Sequence, residues 1–361
     1  MPSLMKPVRL RLAALLAAAT LGGSALAADV ELLPAGLLTP TTKEMTKANQ
    51  YKKAGPWRIG VSFGGVGNTW IVQMIQEMKH AAAQDKSIGE FIFVEANWQA
   101  AKQVADVEDL LAKKVDAIII GPISSATGAP LAAKAAKTGI PVVVFGAFGK
   151  SVESAVEIMG GGEVFGRQGG EYLRKELNGK GNLWAFRGVA GVEEEQLRYN
   201  GFKKAIEGSS LKITQEVFGD WNYAKSKQLC ENLVLSGNSP DGIWFSGAEM
   251  TRACIDVFKE SGKPLVPMTG EDNNGYLKRW KAPEGKGFDS IGTSKPTWLG
   301  SEALIVTIKL LNGEKVEKDM ILPVPTITAA DLDKFVKPEL SDSFWAGTRL
   351  TDDQVKAIFA N

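Results

Sequence analysis

The chain has 361 residues but only one histidine and two cysteines, and its charges nearly cancel to a net +1. Zinc sites and most nucleophilic sites are built from histidine and cysteine at characteristic spacings. The chain therefore lacks the side chains that the familiar metal and covalent mechanisms require. The body of the chain has no basic cluster, which argues against nucleic acid as a partner. These shortages predict a protein that is not an enzyme and that holds no metal.

Phosphate-binding and nucleophile motifs are missing as well. Glycine-rich turns occur at residues 64–67 and 160–162, yet Trp70 stands where the third glycine of a dinucleotide fingerprint should allow close helix packing. The sequence contains neither a phosphate-loop lysine pattern nor a Gly-x-Ser-x-Gly elbow. We therefore expect no cofactor and no catalytic residues.

The first residues carry three basic side chains ahead of an apolar run at residues 12–21, and alanines occupy positions 25 and 27. This order predicts a secretory signal peptide that is cleaved after Ala27, with export to the periplasm; the alternative is a buried N-terminal helix. The apolar run is too short to span a bilayer. Residues 28–55 are expected to form an N-terminal arm that has not yet joined a sheet.

From Trp57 onward, short apolar stretches alternate with amphipathic segments of helical length. This alternation predicts an α/β fold whose parallel strands are joined by helical crossovers. The fully apolar stretch at residues 117–120 indicates a sheet that helices cover on both faces. Two such units of similar length follow one another, and two short helices are expected after residue 329.

Candidate ligand contacts follow predicted strands, because ligands of open α/β sheets sit outside the carboxyl ends of the strands. Asn68 and Trp70 stand at the first such end, where they offer hydrogen bonds and a flat apolar face. Trp98 and Trp221 lie in or next to other post-strand loops. Asp272 follows a later predicted strand, where its carboxylate can accept two ligand hydroxyls or cap a turn.

Two features of the second unit admit alternatives. Cys230 and Cys254 fall on predicted helices that flank a strand at Gly242–Phe245, so a disulfide and two separate buried thiols both fit. The acidic run at residues 193–195 is interpreted as a solvated helix start, because negative charge is favoured at a helix N-terminus; a ligand contact is the alternative.

Six stretches, taken in order, resemble the periplasmic sugar-binding proteins of the ribose-binding type. They are the Asn-x-aromatic unit at 61–74, AKQVADVEDL at 101–110, VDAIIIGP at 115–122, GIPVV at 139–143, GVAGVEEEQLRYNGF at 188–202 and Gly-Glu-Asp at 270–272. The resemblance implies two Rossmann-like, three-layer lobes of the type I periplasmic binding protein fold, joined by a multi-strand hinge. Lobe 1 would comprise residues 56–161 plus 295–324, and lobe 2 residues 162–294 plus 325–361.

The resemblance also implies capture of a small neutral polar ligand, a sugar or polyol, in the cleft between the lobes. Delivery would be to the membrane permease of an ABC importer, with the binding protein acting as a monomer. A periplasmic sensor that presents its ligand to a membrane receptor has the same fold and is the alternative. DNA-binding regulators of the lactose-repressor type share these lobes, but residues 1–55 show no helix-turn-helix.

By position, Asn68 and Trp70 match the first-lobe asparagine and aromatic residue of the family's pocket, Trp221 matches a second-lobe aromatic wall, and Asp272 matches its hydroxyl-binding aspartate. The expected ligand-binding set is Asn68, Trp70, Trp98, Phe148, Gln196, Arg198, Trp221, Asp272, Asn273 and Ser294.

The chain departs from the ribose type at several pocket positions. Gln196 falls where that type has an arginine, and Ser294 falls near the position of its hinge glutamine. Gly121 replaces an asparagine, and residues 146–147 replace an Asp-Arg pair. These replacements remove several kcal/mol of oriented hydrogen bonding, so ribose itself is not the expected ligand. Phe148 is expected to help make the first-lobe wall more apolar instead.

Overall fold

Two mainly parallel sheets organise the chain in the computed structural model, which describes residues 38–146, 156–281 and 288–359. The predicted signal peptide, its cleavage site after Ala27 and Phe148 lie outside the described residues. We call the first sheet with its helices lobe 1 and the second sheet with its helices lobe 2. The arrangement confirms the predicted two-lobe α/β fold.

Lobe 1 is built on a sheet of seven strands within the described residues, numbered here in chain order. In spatial order they are β1 (Thr39–Pro40), β12 (Asp319–Ile321), β6 (Val156–Met159), β5 (Val142–Gly146), β4 (Ala117–Gly121), β2 (Trp57–Phe63) and β3 (Ile88–Glu95). Its helices are α1 (Thr69–Gln84), α2 (Ala100–Ala112), α3 (Ser125–Ala136) and α9 (Leu299–Asn312). Strand β1 pairs antiparallel with β12, Thr39 opposite Ile321. The arm therefore joins the sheet, contrary to the expectation for residues 28–55.

Lobe 2 has six strands in the described part of the chain. In spatial order they are β13 (Thr326–Ile327), β11 (Ser290–Thr293), β10 (Met268–Gly270), β9 (Gly242–Phe245), β7 (Lys180–Arg187) and β8 (Ser210–Phe218). Its helices are α4 (Gly162–Glu176), α5 (Glu193–Ile206), α6 (Tyr223–Leu235), α7 (Ala248–Glu260), α8 (Asn274–Lys281), α10 (Leu332–Phe335) and α11 (Asp352–Ile358). Strand β10 ends at Gly270, two residues before Asp272.

Each sheet separates two apolar layers, which explains why its central strands are apolar on both faces. Along β4, Ile119 belongs to the layer that contains Met74 of α1, whereas Ile118 and Ile120 belong to the layer that contains Leu110 of α2. The alternation follows from the two-residue period of a strand. The buried sheets hold the loops at their carboxyl ends in place, and these loops build the site.

Three connections join the lobes in the described chain: residues 160–161, 294–298 and 322–325. In lobe 2, Cys230 of α6 and Cys254 of α7 form a disulfide, with their Cα atoms 5.6 Å apart. The structure thus selects the disulfide from the two alternatives that the sequence left open.

The segment at residues 337–350, called the strap here, leaves lobe 2 and packs across the hinge onto lobe 1. The backbone N–H of Trp345 donates to Oε1 of Gln73 on α1, at 3.0 Å. The backbone of Gly347 accepts the Thr297 N–H at 2.8 Å, and Arg349 pairs with Glu302 of α9 at 2.6 Å. The strap therefore fastens lobe 2 to two helices of lobe 1.

Candidate ligand-binding site

An open cavity lies where the carboxyl ends of the two sheets face each other. Phe63, Gly121 and Gly146 reach it from the ends of β2, β4 and β5, while Gly247 and Glu271 reach it just after β9 and β10. The loops that follow the strands thus converge as the strand pattern predicts.

Two indole rings, one from each lobe, meet over this cavity. Trp98 follows β3 and Trp221 follows β8, and their ring centroids are 6.4 Å apart. Both residues have positive φ, 59° and 53°, as do the residues before them, Asn97 and Asp220. Bulky residues rarely adopt this conformation, so tertiary contacts must hold it. One such contact is the hydrogen bond from the Trp221 indole N–H to the Ser246 carbonyl, at 2.9 Å.

The N-terminus of α1 forms the first-lobe wall. Asn68 caps this helix by accepting the Ile71 N–H at 3.0 Å, which is the usual role of asparagine at that position. The Trp70 indole N–H donates to the Lys295 carbonyl at 2.6 Å and thereby orients its ring. Gly65 is needed in the preceding turn, because a Cβ there would lie 2.6 Å from the Trp98 ring.

Arg198 is the central charged residue of the second-lobe wall. Its guanidinium donates to Oε1 of Glu194 at 2.9 Å, to Oε1 of Glu271 at 2.8 Å and to the Ser246 carbonyl at 2.6 Å. It also lies 3.7 Å from the centroid of the Phe165 ring. The residue is almost fully buried, so these contacts hold a charge in place that water barely reaches.

Lys295 completes the charged wall by pairing with Oε1 of Glu194 at 2.9 Å. Burial lowers the pKa of Lys295 below its ordinary value, although Glu194 opposes the shift. Burial alone would raise the pKa of Glu194, yet the charges of Lys295 and Arg198 hold it below its ordinary value. Burial raises the pKa of Glu271, and the positive charge of Arg198 offsets this rise only in part.

Glu249, the second residue of α7, reaches across the cleft to lobe 1. Its carboxylate accepts the Thr69 N–H at 3.3 Å and also the Thr69 hydroxyl. The Trp345 indole N–H donates to the same hydroxyl oxygen at 2.8 Å. Burial raises the pKa of Glu249 despite these hydrogen bonds. Glu249 therefore touches both the cavity and the opposite lobe.

The structure brings half of the predicted ligand-binding set to the cavity wall. The residues that line it are Asn68, Trp70, Trp98, Arg198 and Trp221. The residues that do not are Gln196, Asp272, Asn273 and Ser294. Phe148 lies outside the described residues.

Asp272 and Ser294 each miss the cavity by one position. Asp272 is fully buried behind the wall, where it accepts the Gly347 N–H at 2.7 Å, while its neighbour Glu271 lines the cavity. In the same way Ser294 is buried and Lys295 lines the cavity. Successive side chains of an extended segment point in opposite directions, so a shift of one residue exchanges the cavity face for the core face.

Asn273 and Gln196 serve local structure. Asn273 accepts the Tyr276 N–H at 3.2 Å at the start of α8. Gln196 is exposed on α5 and donates to Asn200 at 2.8 Å. On the same helix Glu194 and Arg198 share the cavity face because they are four residues apart, whereas Gln196 lies halfway between them on another face.

The cavity-lining residues outside the expected set include four charged residues, Glu194, Glu249, Glu271 and Lys295, and one indole, Trp345. The acidic run at residues 193–195 is not a solvated helix start, because Glu194 and Glu195 are buried. Helical spacing from Arg198 could have favoured Glu194, and strand alternation could have favoured Glu271. Trp345 has no local signal, since it arrives on the strap from the far end of the chain.

Among the described residues, no group of histidine, cysteine, aspartate and glutamate could hold a metal ion.

Asp272 gives the fold a testable pH dependence. Burial, reinforced by the charge of Glu271, raises its pKa from 3.8 to about 7. Between these values the folded protein holds a proton that the unfolded chain has lost. The stability due to this proton is therefore present near pH 4 and is lost as the pH rises through 7.

We expect Asp272→Asn to remove this dependence, because the amide does not ionise and its oxygen can still accept the Gly347 N–H. Relative to the variant, the wild type should lose about 4 kcal/mol of unfolding free energy between about pH 4 and about pH 8. Urea unfolding of both proteins at the two pH values measures the difference. Parallel pH profiles would show that folding does not raise the pKa of Asp272.

Two α/β lobes that face a cavity at their strand ends define the class of two-lobe small-molecule binding proteins. A family model described as "Periplasmic binding protein domain" matches residues 59–315. The chain belongs to this family. In the part of the chain that the structure describes, no helix combines the length and the apolar character needed to cross a bilayer.

Related proteins agree with this assignment. The xylitol-binding protein of Mycolicibacterium smegmatis is 27% identical over 248 residues, which cover 68% of this chain and 70% of the relative. The ribose import binding protein of Haemophilus influenzae is 23% identical over 66% of this chain and 81% of its own length.

Solved structures of solute-binding proteins superpose on the fold. An ABC transporter solute-binding protein from Bacillus halodurans with bound myo-inositol has a TM-score of 0.71 and 26% identity, covering 78% of this chain and 98% of the other. One from Thermobispora bispora has a TM-score of 0.72 and 28% identity, covering 84% of this chain and 95% of the other.

Proposed function

We propose that the protein is exported to the periplasm, captures a small polyhydroxylated ligand, a sugar or polyol, and presents it unchanged to the permease of an ABC importer. The observation that carries this proposal is the pair of indole rings, Trp98 and Trp221, that come one from each lobe and contact each other at the cavity wall. Relatives named for xylitol and ribose, and a neighbour with bound myo-inositol, support the ligand class.

The wall can recognise a polyol with two kinds of contact. Indole faces cover the C–H faces of the ligand. Arg198, Glu271 and the Asn68 amide offer hydrogen bonds to hydroxyls, each charge-assisted bond contributing about 1.5–3 kcal/mol. A ligand that leaves these buried groups unpaired is rejected, because an unmet buried hydrogen bond is costly.

Contacts between the lobes link capture to closure of the cleft. Glu249 of lobe 2 accepts from Thr69 of lobe 1, and the Glu193 N–H donates to the Ile123 carbonyl at 3.0 Å. These bonds join segments on opposite sides of the cleft, so a hinge motion that opens the lobes would break them. A ligand that contacts both walls would favour the arrangement in which the two lobes are closed.

Ligand binding is expected to raise the unfolding temperature in a screen of sugars, polyols, amines and amino acids. For a ligand found in this way, Trp221→Ala should weaken binding by about tenfold or more, since it removes one stacking surface. Titration calorimetry measures the affinity, and mass spectrometry of the released ligand tests whether it leaves unchanged.

Trp221→Phe is the matched control, because it keeps an aromatic face and should lose less affinity than the alanine variant. Equal affinity of Trp221→Ala and the wild type would remove Trp221 from the binding surface. Release of a chemically altered ligand would contradict a transport role.

A further inference from the structure

The charges on the cavity wall do not balance. Three carboxylates, Glu194, Glu249 and Glu271, line the cavity together with two cations, Arg198 and Lys295. Both cations are already paired: Arg198 with Glu194 and Glu271, and Lys295 with Glu194. With every group ionised, the wall has one negative charge in excess.

The excess charge is localised on Glu249. In the described part of the chain its carboxylate has hydrogen bonds from Thr69 but no ion pair, and the residue is only 6% exposed. The neighbouring cation is Arg252, three residues further along α7, whose charge lowers the pKa of Glu249 but whose guanidinium donates to the Asp342 carbonyl at 2.9 Å instead. Neutral donors compensate a buried carboxylate less well than a cation does. The cavity therefore leaves a place for one positive charge beside Glu249.

The aromatic lining fits the same charge. Indole faces attract cations, and two of the four indoles that line the cavity already lie near cations of the protein. The Lys295 ammonium is 5.8 Å from the Trp70 ring, and the Arg198 guanidinium is 5.9 Å from the Trp221 ring. Within the described residues, no cation of the protein lies over Trp98 or Trp345, which also line the cavity.

We infer that the preferred ligand carries a protonated amine in addition to its hydroxyls, and that Glu249 is the residue that selects it. The inference rests on the proposed capture of a polyhydroxylated ligand and narrows it to amino sugars or amino polyols. The ammonium group would donate to the Glu249 carboxylate, while the hydroxyls engage the rest of the wall. This replaces the neutral ligand expected from the sequence.

Pairs of probes that differ by one amine test the inference directly. Glucosamine is compared with glucose, galactosamine with galactose, and 1-amino-1-deoxysorbitol with sorbitol, each by titration calorimetry at neutral pH. For at least one pair, the amine should bind the wild type about tenfold more tightly than its hydroxyl parent. Glu249→Gln should abolish this preference, so that both members of the pair bind equally.

Glu260→Gln is the matched control, since it removes a carboxylate from the other end of α7, where Glu260 is exposed and pairs with Lys227 at 2.8 Å. It should keep the preference for the amine. If the neutral parents bind as tightly as the amines, or if Glu249→Gln keeps the preference, the inference is overturned while the proposed function stands. If no sugar or polyol, aminated or not, binds the folded wild type, both are overturned.

Discussion

Replacing Arg198 with methionine is expected to abolish ligand binding and to lower the free energy of unfolding by about 3–5 kcal/mol. The guanidinium is the shared partner of Glu194 and Glu271, both of them buried in the cavity wall. Without it, among the residues that the structure describes, Glu271 has no cation within hydrogen-bond distance and Glu194 retains only Lys295. Urea unfolding measures the stability, and calorimetry measures binding.

Arg198→Lys separates the charge from the geometry. Lysine keeps a positive charge near the two glutamates, but it cannot reproduce the planar fork that also reaches the Ser246 carbonyl. We expect the lysine variant to recover part of the stability and little of the binding. A methionine variant as stable as the wild type would show that Arg198 is not needed to compensate the two buried glutamates.

Replacing Glu77 with alanine is expected to lower the free energy of unfolding by about 2–4 kcal/mol. This carboxylate of α1 is buried and accepts hydrogen bonds from the Thr297 hydroxyl, from the Thr348 hydroxyl at 2.5 Å and from the Arg349 N–H at 3.5 Å. Its partners lie on a connection between the lobes and on the strap. Alanine would leave several buried donors without their acceptor.

Glu77→Gln is the matched control, because both threonine hydroxyls donate to the same oxygen, Oε1, and an amide oxygen can still accept from them. Its loss of stability should be smaller than that of the alanine variant. Hydrogen exchange localises the effect: amides of residues 337–350 should exchange faster in Glu77→Ala, while those of β7 in lobe 2 should not change. Unchanged exchange in the strap would show that Glu77 does not hold it.

The strap contributes both to the ligand site and to the stability of the hinge. It lies beyond residues 59–315, which the family model matches, yet it supplies Trp345 to the cavity wall and Gly347 to the buried Asp272. The site and the hinge therefore share supports in this protein. A change in the strap should affect binding as well as stability.

Local sequence patterns were sufficient for the scaffold and for several site residues. Period-two and period-3.6 hydrophobicity predicted parallel strands with helical crossovers, because that pattern depends on which faces of each element are buried. Asn68, Trp70, Trp98 and Trp221 could be selected because they follow strands, and strand ends converge wherever parallel sheets form. Two selected residues fall one position away from the cavity: Asp272, which follows a strand and also matches the ribose-type pocket, and Ser294, which only the resemblance indicated.

The amino-acid sequence by itself determined the two-lobe α/β architecture and the edge of each sheet at which a ligand can bind. Only the tertiary structure decided which charges face the cavity: Glu271 instead of Asp272, Lys295 instead of Ser294, and Glu249 and Trp345 from segments with no local signal. The reason is physical. Burial patterns repeat within one element and can be read along the chain, whereas a site between lobes depends on how distant elements meet, and a one-residue difference in an extended segment turns a side chain to the opposite face.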